Sequence, residues 1–127
     1  MSSKIVVKGD NLPKSHLPFS PGIIAGDYLF VSGQASVDDT GKIVTDTFAG
    51  ECRRSFDNLK KIVEAAGASL DDAVQVRNYV SKQEDLVEFN AIYREYFKEP
   101  FPARTTLIGC LGDILKFEVD VVVYIGK

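Results

Sequence analysis

The stretch Leu115-Lys116-Phe117-Glu118-Val119-Asp120-Val121-Val122-Val123-Tyr124-Ile125 decides the fold. Successive side chains of a strand point to opposite faces, so Leu115, Phe117, Val119, Val121, Val123 and Ile125 form one unbroken apolar face. The opposite face is mixed, with Lys116, Glu118 and Asp120 followed by Val122 and Tyr124. An apolar face of this length must be covered, and the rest of the chain offers two amphipathic helices to cover it. Two helices protect only one side of a sheet. The other side, carrying Val122 and Tyr124, is therefore expected to be buried against another subunit. The fold class that follows is α+β: a mixed β-sheet with two helices on one face, in a homo-oligomer.

The pattern upstream supplies the other elements. Phe48, Cys52, Phe56, Leu59, Val63 and Ala66 recur at intervals of three and four, which places them on one stripe of a helix. Gly67 is the expected left-handed stop. Asp85 precedes Leu86, Phe89, Tyr93 and Phe97, a shorter helix halted by Pro100 and Pro102. Strands are expected at Ile23 to Ala25, Tyr28 to Ser32, Val74 to Val80 and Ala103 to Ile108. Gly26-Asp27 is a two-residue hairpin signal of the Gly-first kind. A second turn at Asp38 to Gly41 leads to Lys42-Ile43-Val44. Gly109-Cys110-Leu111-Gly112 superficially resembles an RNA-clamping loop, but in this setting it is expected to be a hairpin connection. Gly9 to Pro21 is the longest irregular stretch and is expected to be an ordered loop.

The 127 residues, 45% hydrophobic, suit one domain, residues 1–127, with a real core. Fifteen Lys and Arg stand against eighteen Asp and Glu, a net charge of −3, and no basic run occurs. Phosphate binding needs a basic surplus or stripe, so nucleic acid is not expected as a partner. The N-terminal Met1 to Asp10 carries charges within its short apolar stretch and reads as neither signal peptide nor membrane span, making a cytoplasmic address the expectation. Cys52 and Cys110 lie far apart and imply neither zinc nor a disulfide; both are expected to be small buried apolar side chains.

Phosphate-loop, nucleophile-elbow and His-Glu-x-x-His signatures are all absent. The single histidine, His16, sits in the Pro-rich loop without the spacing of a catalytic triad. What remains is Arg104, with Thr105 and Thr106 beside it, and Glu118 on the mixed face of the last strand. A guanidinium fork matches the two oxygens of a substrate carboxylate. A partly desolvated glutamate gains proton affinity and can then move protons near neutrality. On pattern alone, an Arg104–Glu118 cross-strand ion pair that only stabilises the sheet is the favoured reading.

Five pieces in order change that balance: Phe30-Val31-Ser32-Gly33-Gln34, the helix end Ile62 to Gly67, Phe89-Asn90-Ala91-Ile92-Tyr93 leading to Phe97, Phe101-Pro102-Ala103-Arg104, and Lys116-Phe117-Glu118. Together they resemble the signature stretches of the Rid/YjgF family (reactive intermediate deaminases, also described as endoribonuclease L-PSP), from about Pro18 to Lys127. The resemblance implies a chorismate-mutase-like fold and a homotrimer with clefts between subunits. It also implies hydrolysis of enamines and imines of the 2-aminoacrylate type to 2-keto acids and ammonia, with no metal and no cofactor. Arg104 would hold the substrate carboxylate. Glu118, with the backbone carbonyl of Thr106, would position and activate water, and Gly33 and Asn90 would line or support the cleft.

Two positions depart from the family pattern: Phe19 stands where better-known members carry a tyrosine, and Thr106 replaces a cysteine. Cys110 is not at the matching position. Two further readings come from other classes: a single-strand ribonuclease or translation inhibitor, and a non-catalytic sensor of small keto or amino acids anchored by Arg104.

Overall fold

The computed structural model describes residues 3–13 and 15–126. Six strands form one sheet: β1 (Ile5–Val6), β2 (Gly22–Ala25), β3 (Tyr28–Gln34), β4 (Ala73–Val80), β5 (Ala103–Ile108) and β6 (Phe117–Tyr124). Their order across the sheet is β1-β2-β3-β6-β4-β5. Only the β4–β5 pair is parallel; the other pairings are antiparallel. Helices α1 (Phe48–Ala65) and α2 (Leu86–Tyr96) cover one face. β6 lies at the centre of the sheet, which explains its composition: Phe117, Val119, Val121 and Val123 are all at most 1% exposed.

Helix α1 begins at Thr47, whose side chain accepts from the Gly50 N–H and satisfies one orphan donor of the first turn. Its buried stripe is Phe48, Cys52, Phe56, Leu59, Ile62 and Val63. Beyond the helix, Gly67 adopts φ +80°, its N–H donating to the Glu64 carbonyl while the Ala68 N–H donates to that of Val63. Those bonds close the last turn as a left-handed glycine cap does. The β2–β3 hairpin turns at Gly26, φ +59°, as expected of a Gly-first two-residue turn.

Phe56 sits where both helices meet the sheet. Its ring contacts those of Tyr93, Tyr96, Phe97 and Phe117, the last at 5.1 Å between centroids. Edge-on and offset arrangements of this kind add to the burial of the rings themselves.

Several details differ from the sequence reading. The segment after β5 is not a hairpin connection, because β4 lies between β5 and β6; the chain instead passes the end of β4, where the Ser81 N–H donates to the Lys116 carbonyl. Cys110, in that connection, is exposed, whereas Cys52 is buried in the core. Asp85 makes no side-chain capping bond, since a 3-10 turn over Gln83–Asp85 runs directly into α2. After the Asp38–Gly41 turn the chain makes a single antiparallel bridge, Val37 to Ile43. The final strand begins two residues later than its apolar pattern, because Lys116 is held by Glu51. That carboxylate, 0% exposed, accepts from the Asp46 and Lys116 backbone N–H groups and from Lys116 Nζ. The short β1 has no counterpart in the pattern, two residues being too few to show a period. In the Gly9 to Pro21 loop, Leu12 is buried; Lys14 lies outside the described residues.

Truncating Phe56 leaves a cavity that its ring neighbours cannot fill. Phe56→Ala is expected to lower stability by about 3–5 kcal/mol, measured by urea denaturation with an unchanged m value.

Candidate active site

Alternation along the strands separates the candidate residues onto two faces. Arg104 is in register with Val76, which is fully buried under the helices, and its guanidinium lies over the α2 rings of Phe89 (5.2 Å) and Tyr93 (4.8 Å). Glu118 lies between the buried Phe117 and Val119 and therefore points to the face without helices. Within one chain Arg104 and Glu118 are on opposite sides of the sheet, and no ion pair joins them. The cross-strand salt bridge expected from pattern alone is absent, because the two strands are separated by β4 and the two side chains have opposite facing.

Arg104 Nη1 donates to Asn90 Oδ1 at 2.9 Å, so one turn of α2 fixes the guanidinium. The group stands at a cavity of about 240 Å³ lined by Asn90, Tyr93, Arg94, Phe101, Pro102 and Arg104. Aromatic faces below and an amide at one edge hold the fork while its remaining N–H groups stay available to an anion. Burial pushes the Tyr93 phenol up to about 12, so it stays protonated at neutral pH; its hydroxyl has no partner.

Thr106 follows Arg104 on the edge strand β5. The Gly109 N–H donates to the Val80 carbonyl, and by alternation Thr105 and Leu107 also direct their backbone groups toward β4. The Thr106 carbonyl therefore points out from the free edge of the sheet. Its hydroxyl faces Asn78 across the parallel pair, and both the Thr106 hydroxyl and Asn78 Oδ1 are buried without a partner.

On the other face, Glu118 is paired with Tyr79 of β4 and flanked by Gly33 of β3. Gly33 falls in the irregularity between Val31 and Gln34, where a Cβ would run into Glu118 Oε2. The absence of a side chain is thus what lets the carboxylate lie across β3. Burial, and secondarily the charge of Asp120, holds the Glu118 carboxyl above its ordinary range. Asp120 in turn accepts from Arg77 Nε and from the Tyr79 hydroxyl, each at 2.8 Å. Arg77, Tyr79 and Asp120 were not singled out by sequence reasoning. The period-two pattern of β4 does place Arg77 and Tyr79 on one face, but their meeting with Asp120 depends on register.

Phe19, 53% exposed, lies in the loop before β2. With Gly33 it borders a second cavity, of about 300 Å³, under that loop. His16 is an exposed loop residue. No cluster of three or more His, Cys, Asp or Glu placed to hold a metal ion occurs among the described residues, nor is any helix there long and apolar enough to cross a membrane.

Two measurements check this geometry. Asp120→Asn removes the neighbouring charge, so the Glu118 carboxyl should titrate lower than in the parent while burial keeps it above an ordinary glutamate; carbon NMR across acidic pH reads this directly. Because the folded-state value is raised, the folded chain binds the Glu118 proton more tightly than the unfolded one. That contribution to stability is present at low pH and is lost as pH rises through the folded value, and the loss should be smaller in the variant. Gly33→Ala should leave the melting temperature within a few degrees while displacing the Glu118 carboxylate, seen as a changed Glu118 titration, since the clash is with the far end of a flexible side chain.

The comparisons agree with this architecture. The endoribonuclease L-PSP family model matches residues 9–125. A RutC family protein of Pyrococcus horikoshii is 37% identical over 123 residues, covering 95% of this chain and 98% of that protein. A 2-iminobutanoate/2-iminopropanoate deaminase of Dermatophagoides farinae is 31% identical over 127 residues, covering 98% and 99%. The crystal structure of a Rid family protein from Yersinia pestis superposes with a TM-score of 0.89 at 27% identity, covering 96% of this chain and 99% of that one. A sheet with this strand order and two helices on one face, matched over nearly its whole length in sequence and in structure, places the chain in the endoribonuclease L-PSP family, the Rid/YjgF proteins.

Proposed function

We propose that the protein hydrolyses 2-imino acids to 2-keto acids and ammonia in clefts assembled from two copies of the chain, within a homotrimer. The observation that carries this reading is the division of groups between faces. Arg104 and the outward Thr106 carbonyl stand at the free β5 edge, while Glu118 lies on the face without helices. Only a second copy, set with its β5 edge against that face, brings all three to one substrate. The same face carries exposed Tyr28, Phe30 and Tyr124, apolar surface that a neighbouring subunit would cover. The relative named as an iminobutanoate and iminopropanoate deaminase supports the substrate class.

The chemistry asks little of the protein. A 2-aminoacrylate, CH2=C(NH2)–COO−, takes up one solvent proton at its methylene carbon to give the iminium CH3–C(=NH2+)–COO−, whose C2 is electrophilic. The Arg104 guanidinium takes the carboxylate in a bidentate grip and fixes C2. Water, held by the Thr106 carbonyl and Glu118, adds to C2 as Glu118 accepts its proton. The resulting carbinolamine then expels its nitrogen as Glu118 returns the proton, giving the keto acid and ammonium. A glutamate whose proton affinity is raised by burial suits both halves of this exchange. Cytoplasmic residence fits the production of such enamines by pyridoxal-phosphate dehydratases.

Coupling the protein to a threonine or serine dehydratase tests the reading. Keto acid should be released faster than by the dehydratase alone, and Arg104→Ala should lose at least about a hundredfold of that acceleration, the scale expected when a bidentate anchor is removed. No acceleration by the parent protein would favour a sensor that binds without turnover. Light scattering gives the assembly: a mass three times the chain's 14.0 kDa is expected, and a stable monomer would overturn the shared cleft.

A further inference from the structure

The second cavity, about 300 Å³ beneath the loop that carries Phe19, is within the size range of small-molecule sites. Among the described residues, none that line it is charged. Leu17, Phe19, Val37, Ile43, Ile62 and Leu115 are among the residues that line it. The polar groups nearby are already engaged: the Ser32 hydroxyl donates to the Ser20 carbonyl, the Gln34 amide to the Ser32 carbonyl, and Ser15 Oγ accepts from the Leu17 N–H. A carboxylate or an iminium placed there would lose its water and meet no opposite charge among the described lining residues. The cavity suits an apolar group only.

Gly33 connects this cavity to the candidate chemistry. It forms part of the cavity wall, and with no side chain of its own it lies directly against the Glu118 carboxylate. Leu17 and Phe19, 56% and 53% exposed, leave apolar surface at the mouth, unlike the fully buried Ile62 at the base. An apolar chain attached to a carbon held beside Glu118 would have this cavity within reach past Gly33.

On this basis, and resting on the imine-hydrolase reading, we infer that the cavity receives the side chain of the substrate, so that the preferred substrates are 2-imino acids with branched aliphatic or aromatic side chains rather than the one-methyl 2-iminopropanoate. Methylene groups buried in such a pocket raise kcat/KM by roughly tenfold or more each where they displace water from apolar walls. The charged end of the same molecule is served by Arg104 from the neighbouring copy, so the two cavities divide the substrate by polarity.

A flavin D-amino-acid oxidase, with catalase present, supplies the imines of D-alanine, D-leucine and D-phenylalanine, and ammonia release gives kcat/KM for each in the presence of this protein. The leucine and phenylalanine imines should exceed the alanine imine by at least about tenfold. Ile43→Asp, a change at a 43%-exposed position of the wall, should collapse that ratio toward one, with circular dichroism confirming the fold. Acceleration of all three imines with no preference, or with preference for the alanine imine, overturns the cavity assignment and leaves the hydrolase reading standing; it would mean that a neighbouring copy fills the cavity. No acceleration of any imine overturns both.

Discussion

A carboxylate buried without solvent contact fixes the frame on which everything else depends. Glu51, in the first turn of α1, ties the helix to the Asp46 backbone on one side and to the backbone and ammonium of Lys116 on the other. Lys116 immediately precedes β6, so this clamp sets where the central strand begins. Side chains of a strand alternate between faces, and a slip of one residue would send Phe117, Val119, Val121 and Val123 to the open face and Glu118 into the core. A buried charge is tolerable here because three donors converge on it. Removing those donors would leave an uncompensated ion under the helix, which is why the clamp specifies one register rather than merely adding stability.

Given that register, the sheet itself sorts the chemistry. Its helical face stores the guanidinium of Arg104 on a floor of aromatic rings, and its open face holds two carboxylates two residues apart on one strand. Asp120 accepts from Arg77 and Tyr79, and burial, with the Asp120 charge behind it, raises the proton affinity of Glu118. Gly33 contributes by what it lacks. The result is an anion holder and a proton carrier that a single chain keeps apart.

Much of this was legible in the sequence, for identifiable reasons. The long strand and the α1 stripe could be read because their periods run over many residues and the helix stop, Gly67, is a local signal; the Thr47 cap was not read. Arg104 and Glu118 were legible as residue types suited to the chemistry. What escaped was whatever depends on strand pairing. Nothing in the sequence fixes β6 between β3 and β4, so the ion pair expected between Arg104 and Glu118, the hairpin expected after Ile108 and the burial expected of Cys110 all failed together. The Arg77, Tyr79 and Asp120 cluster and the clamp at Glu51 join residues more than forty positions apart and leave no local signal.

The place of β6 also bears on how the chain reaches its fold. The strand that joins the two halves of the sheet is the last of its elements to leave the ribosome. Until it does, the β1–β2–β3 meander and the β4–β5 pair have no common partner, and the inner surface of α1 has only part of its floor. Closure of the sheet is therefore a long-range event that waits for β6 to be made, and contacts so distant in sequence slow folding. During that interval the unpaired edges of β3 and β4 are open to strands of other chains, so the nascent protein passes through a stage in which aggregation competes with completion.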